Sequence, residues 1–158
     1  MPNLQIILKN GFLLSNFLLA VCFFFFDEPL HHKRDLKLWE RISHPIDTVF
    51  TCFTYSIALW ATTKNSQVLF WLYCISALFT IVLSYKDEFI HKQECCVREN
   101  IIHAAMFSLS GISFTLGACL ILIGNLSWPF LLAIVFASFT LCWQIVFWFF
   151  LRDKLWKK

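Results

Sequence analysis

The amino-acid sequence predicts an all-α membrane protein, a polytopic helical bundle of about five transmembrane helices, in one domain covering residues 1–158. Three observations predict it. Hydrophobic residues make up 59% of the chain and charged residues only 15%, against about 45–50% and about 25% in soluble domains. The apolar residues gather into five runs, at 4–26, 46–63, 68–84, 101–123 and 129–151, each close to the length of about 20 residues that crosses a hydrocarbon core. None of the runs carries Asp, Glu or Arg in its central turns, and stretches such as Phe23–Phe26 are apolar on every side. A barrel strand would alternate apolar and polar positions, so helices are expected.

The first run, 4–26, stops abruptly at Asp27-Glu28-Pro29, and Lys9 near its start can reach the interface along its stem. It lacks a small-x-small cleavage site and is too long for a signal-peptide core, so a retained helix is expected. Lying flat in the interface, it would leave four crossings. Ser43-His44-Pro45 opens the second run, 46–63, with the proline suited to a first helical turn. The third run, 68–84, leads into a charged segment, Tyr85–Asn100, that precedes the fourth, 101–123. Asn125–Pro129 forms a turn before the fifth, 129–151. Trp39, Trp128 and Trp156 fall near the expected interfaces, where amphipathic rings are favoured.

Orientation follows from charge. Lys33, Arg34, Lys37, Arg41, Lys86, Lys92, Arg98, Arg152, Lys154, Lys157 and Lys158 lie on one side of the five-span map, against Lys9 and Lys64 on the other. Excess Lys and Arg mark the cytoplasmic face. The N-terminus is therefore expected outside and the C-terminus inside, and the lack of a targeting extension suits a bacterial inner membrane. The net charge of +3 is spread beside apolar runs, not gathered in a patch, which argues for a lipid bilayer as partner and against nucleic acid. Seven cysteines, an odd number, do not form a fully paired disulfide framework. Cys95-Cys96 admits thiolate, acylation or inert roles.

One cluster carries candidate chemistry. His44 and Asp47 open the second helix, Glu88 and His91 follow the third, and Glu99 and His103 open the fourth. Positions three or four apart share a helix face, so each segment offers an acid beside an imidazole at the same depth. Imidazole with carboxylate is a ligand set for iron, manganese or zinc. Glu88-Phe89-Ile90-His91 has the Glu-x-x-His spacing of carboxylate-bridged di-iron bundles, although in a single copy. Each pair also has a structural account. Asp47 suits a helix N-terminus, Glu88 can pair with Lys92, and Glu94 with Arg98. His31 and His32, beside Lys33 and Arg34, read as a solvated loop or a headgroup contact. Gln144, deep in the fifth run, reads as a hydrogen bond to another helix.

There is no Gly-rich phosphate loop, Gly-x-Ser-x-Gly elbow or His-Glu-x-x-His motif, and five histidines are too few for a His-box desaturase. The sequence thus points to a metal or acid–base site at the cytoplasmic face that acts on a lipid. The alternative is a non-enzymatic membrane subunit or small transporter component with a structural cluster. A chain this small would have to form a homo-oligomer to build a pore.

Overall fold

A computed structural model describes residues 2–34, 37–91, 97–124 and 127–151, with side chains at 3–31, 37–85, 97–124 and 127–151. The chain is a bundle of α-helices, with no strand among the described residues. Helix α1 (Pro2–Val21) runs through a π-helical turn (Cys22–Asp27) into α2 (Glu28–Arg34). Then come α3 (Leu38–Lys64), α4 (Gln67–His91), α5 (Val97–Ile123) and α6 (Trp128–Val146), which ends in a second π-helical turn (Phe147–Leu151).

Two boundaries differ from the sequence expectation. The first helix does not stop at Asp27-Glu28-Pro29. Proline has no N–H and its ring crowds the preceding turn. Here that turn is widened: the Glu28 N–H donates to the Phe23 carbonyl, five residues back, and the helix continues past Pro29. The second difference is α3, which begins at Leu38, where the Lys37 N–H donates to the Glu40 carboxylate at 2.8 Å. His44, Pro45 and Asp47 therefore lie inside α3 and not at its cap.

The other turns are short. Asn65 caps α3 in the left-handed region (φ 45°), and two residues later α4 begins. Gly124 (φ 75°) closes α5, its N–H reaching the Leu120 and Ile121 carbonyls at 3.2 Å. A left-handed residue after the last turn satisfies carbonyls that the helix leaves open, and glycine adopts it without strain.

Among the described residues, four helices are long and apolar enough to cross a membrane: Asn3–His31, Gln67–Tyr85, Val97–Ile123 and Trp128–Leu151, with mean hydropathies of 1.8 to 2.2. Only 17% to 28% of each apolar window is buried within the bundle. The remainder, including Phe17, Phe25, Leu78, Leu122 and Phe139, forms an apolar exterior far larger than soluble monomers expose. Helix α3 is as long but carries Thr48, Thr51, Thr54, Tyr55 and Thr62, which suits its place packed between α4 and α6.

The helices are locked by packing and by polar knots. Phe12, Tyr55, Phe114, Leu120 and Phe130 fill the core, with Phe12 edge-on to both Tyr55 and Phe130. The Tyr55 hydroxyl donates to Asn16 Oδ1 at 2.8 Å, and the Asn16 amide donates to Ser113 Oγ at 2.7 Å, tying α1, α3 and α5. Thr54 meets Ser76 and Thr80 of α4 at 2.7 and 3.0 Å. Such bonds between helices in lipid contribute about 0.6 kcal/mol each on average.

Candidate metal centre

The end of α1, the start of α3 and the start of α5 meet at one end of the bundle, and each brings imidazole and carboxylate there. Asp27 ends the π-helical turn, and His31 stands one helical turn on. His31 Nδ1 lies 3.5 Å from Asp27 Oδ2. From α5, His103 Nε2 lies 2.9 Å from the other oxygen, Asp27 Oδ1. Glu99, one turn before His103, brings Oε1 to 3.5 Å from His31 Nε2. From α3, the His44 ring lies against His31 with centroids 4.9 Å apart, and the His103 ring is 5.7 Å from His31. Asp47 lines the same cavity as Asp27, His44 and His103.

Burial makes this cluster costly. Asp27, His31 and Glu99 are 2%, 1% and 2% exposed. Glu28 is buried beside them and accepts a bond from Trp143 Nε1 at 3.2 Å. Carboxylates taken out of water need a counter-charge. Three imidazoles supply that charge only when protonated, whereas a divalent cation supplies it outright.

One ligand atom from each of Asp27, His31 and His103 lies within 4.8 Å of the other two. Nitrogen and oxygen ligands held at about 2.0–2.2 Å stand no more than about 4.4 Å apart across an ion, so small side-chain shifts would close the set. His31 turns Nδ1 to Asp27 Oδ2 and Nε2 to Glu99 Oε1, each at 3.5 Å. Two imidazoles and one carboxylate with further positions open is a familiar donor set for catalytic zinc and non-haem iron.

Of the six residues expected from the sequence, His44, Asp47, Glu99 and His103 come together at this end of the bundle. The side chains of Glu88 and His91 lie outside the described residues, as do Cys95 and Cys96, although the backbone of Glu88 and His91 forms the last turns of α4. The expectation for His31 is corrected. It is among the most buried side chains and lies between Asp27 and Glu99, because α2 prolongs α1 where a loop was expected. Asp27, read as a helix terminator, is the hub. Gln144 bonds across to α3, its Oε1 2.9 Å from Thr48 Oγ1.

The cluster opens into a cavity of about 550 Å³ within the bundle. Asp27, His44, Asp47 and His103 stand at one end, and Asn16 and Tyr55 line it further along α1 and α3. No family model, curated protein or solved structure matches this chain, so the reading of the site rests on its geometry.

Proposed function

We propose that the chain is an integral membrane metalloprotein that holds a divalent transition metal with Asp27, His31 and His103 and acts on a lipid at the cytoplasmic headgroup layer. The observation that carries this reading is the convergence of three ligand atoms within 4.8 Å, with Asp27 and His31 buried and Asp27 and His103 lining a cavity. Glu99 braces His31 from behind, as carboxylates beside metal-bound imidazoles do. A bound ion there supplies Lewis acidity toward a carbonyl or phosphoryl oxygen, or toward water. His44 and Asp47, with Glu88 and His91, form the wider set from which a second ion would draw its ligands.

The reading includes five crossings, with α3 as the second. The distribution of Lys and Arg supports a cytoplasmic placement of the metal end, with the N-terminus outside, in a membrane such as the bacterial inner membrane.

The test is metal content of detergent-purified protein by inductively coupled plasma mass spectrometry, after exposure to iron, manganese or zinc. Wild type should carry a stoichiometric ion that Asp27→Asn and His103→Ala both lack while remaining folded. A wild type that stays metal-free under all three loadings overturns the reading. Loss of the ion in His91→Ala would extend the site to α4.

A second reading, a small transporter component, draws on a polar stripe along α3. His44, Asp47, Thr48, Thr51 and Tyr55 all line the cavity and lead from the cluster to the Asn16–Tyr55–Ser113 knot. Ion flux into proteoliposomes, lost in Asp47→Asn, would favour it.

A further inference from the structure

We infer that the cavity is the binding site of a single-chain amphiphile, whose hydrogen-bonding end group meets Gln144 and whose hydrocarbon tail lies against Ala20, Phe23 and Met106. The position of the end group next to the ion rests on the metal reading above; the tail site does not.

The cavity has a mixed lining. Thr48 and Thr51 of α3, with Thr140 and Gln144 of α6, give it polar groups, and Leu19 and Ala20 of α1, Phe23 of the π-helical turn, Met106 of α5 and Ala133, Phe136 and Ala137 of α6 give it apolar ones. From Asp27 to Asn16, eleven residues apart on one continuous helix, its length is about 16 Å at the helical rise. A volume of about 550 Å³ is in the range of small-ligand sites and holds one chain with its end group. A two-chain phospholipid would have to leave one chain outside.

Gln144 sets the chemistry of the end group. The residue is 3% exposed and lines the cavity. The Thr48 hydroxyl has one proton and lies 3.0 Å from the His44 carbonyl and 2.9 Å from Gln144 Oε1. Whichever end of the Gln144 amide meets Thr48, the other end has no partner among the described residues. Because Gln144 lines the cavity, a hydroxyl, carbonyl or amide on the ligand would complete the hydrogen bonding of that end.

The route in is lateral. Ser84 and Tyr85 of α4 and Ala104, Phe107 and Ser108 of α5 line the cavity and are exposed on the bundle surface. The cavity therefore reaches the lipid between these helices. The Tyr85 and Phe107 rings, with centroids 5.2 Å apart, stand at this opening. A chain dissolved in the leaflet enters between them without crossing water.

The test is photolabelling of the full chain in nanodiscs with hexadecanol carrying a mid-chain diazirine, beside phosphatidylcholine with the same diazirine. Cross-linked residues are mapped by mass spectrometry. Hexadecanol should label Ala20, Phe23 and Met106, and phosphatidylcholine only outward residues such as Phe17 and Leu78. Unlabelled hexadecanol should compete, and Ala137→Trp, which fills the cavity, should reduce interior labelling more than about tenfold, a loss of about 1.4 kcal/mol. Ala20→Phe blocks from α1 should Ala137→Trp fail to fold, and Gln144→Leu should weaken labelling several-fold. Labelling confined to outward residues, or interior labelling indifferent to both blocking variants, overturns the inference. Asp27→Asn should keep the tail labelling. Metal binding without interior labelling would sink this inference alone, and interior labelling without metal would sink only the metal reading.

Discussion

His103 Nε2 and Asp27 Oδ1 lie 2.9 Å apart, joining positions 76 residues apart in the chain and drawing α5 onto the π-helical end of α1. The contact defines the first prediction, because Asp27 also faces His31 through its other oxygen. Asp27→Asn keeps the volume and removes the charge, so the bundle should fold while metal affinity falls by more than about a hundredfold. Glu99→Gln, one step removed from the ion, should cost about 10–100-fold. Equilibrium dialysis against zinc or iron reads both. Equal effects from the two substitutions would place Glu99 among the direct ligands, and no effect from either would remove the metal.

Binding to the folded state alone stabilises it by mass action. At a free metal concentration about a hundred times the dissociation constant, the gain is about 2.7 kcal/mol. A chelator should therefore lower the thermal midpoint of wild type in detergent and leave His103→Ala unmoved. The double substitution Asp27→Asn, His103→Ala should be no more chelator-sensitive than the single one. A midpoint indifferent to chelator in wild type would argue that the cluster is held by its own hydrogen bonds.

How much of this could be read in advance depends on which residues follow helical periodicity. Glu99 with His103 and His44 with Asp47 sit at helical spacing at one depth, and the bundle does bring their helices together. Asp27 and His31 have the same four-residue spacing, yet the Asp-Glu-Pro sequence between the apolar run and the histidines reads as a stop. The π-helical turn at Cys22–Asp27 removes that stop by widening the helix before Pro29. Such turns have no composition signal as plain as a proline, and they often mark functional sites. The start of α3 escaped for a related reason: its first two turns, Leu38–Pro45, are too polar to join an apolar run, and only the Lys37–Glu40 bond marks them as helix. The cavity was not legible at all, because it depends on small residues such as Ala20 of α1 and Ala133 and Ala137 of α6 lining one space between helices far apart in the chain.

The five-crossing reading predicts opposite exposures for two positions. A cysteine at Asn65, in the link between α3 and α4, should react with a membrane-impermeant maleimide in intact cells. One at Leu38, at the start of α3, should react only after permeabilisation. The same reactivity at both positions would mean that α3 does not cross, leaving the four most apolar helices as the only spans.

The last prediction concerns the middle of the bundle, away from the cluster. Gly117 of α5 lies so close to Tyr73 of α4 that an added Cβ would collide with the Tyr73 hydroxyl and crowd Phe130 at 3.3 Å. That hydroxyl donates to the Phe114 carbonyl at 2.7 Å, a bond between the same two helices. Gly117→Ala must therefore either push α4 from α5 or break the bond, and overpacking of this kind costs about 1–3 kcal/mol. Gly111, two turns earlier on α5, has nothing within 4 Å of such a Cβ. There alanine replaces a poor helix former by the best one, a change that favours the helix by up to about 1 kcal/mol. Thermal midpoints in detergent should fall for Gly117→Ala and hold or rise for Gly111→Ala. Equal effects at the two glycines would contradict the close approach of α4 and α5 on which the cavity mouth also depends.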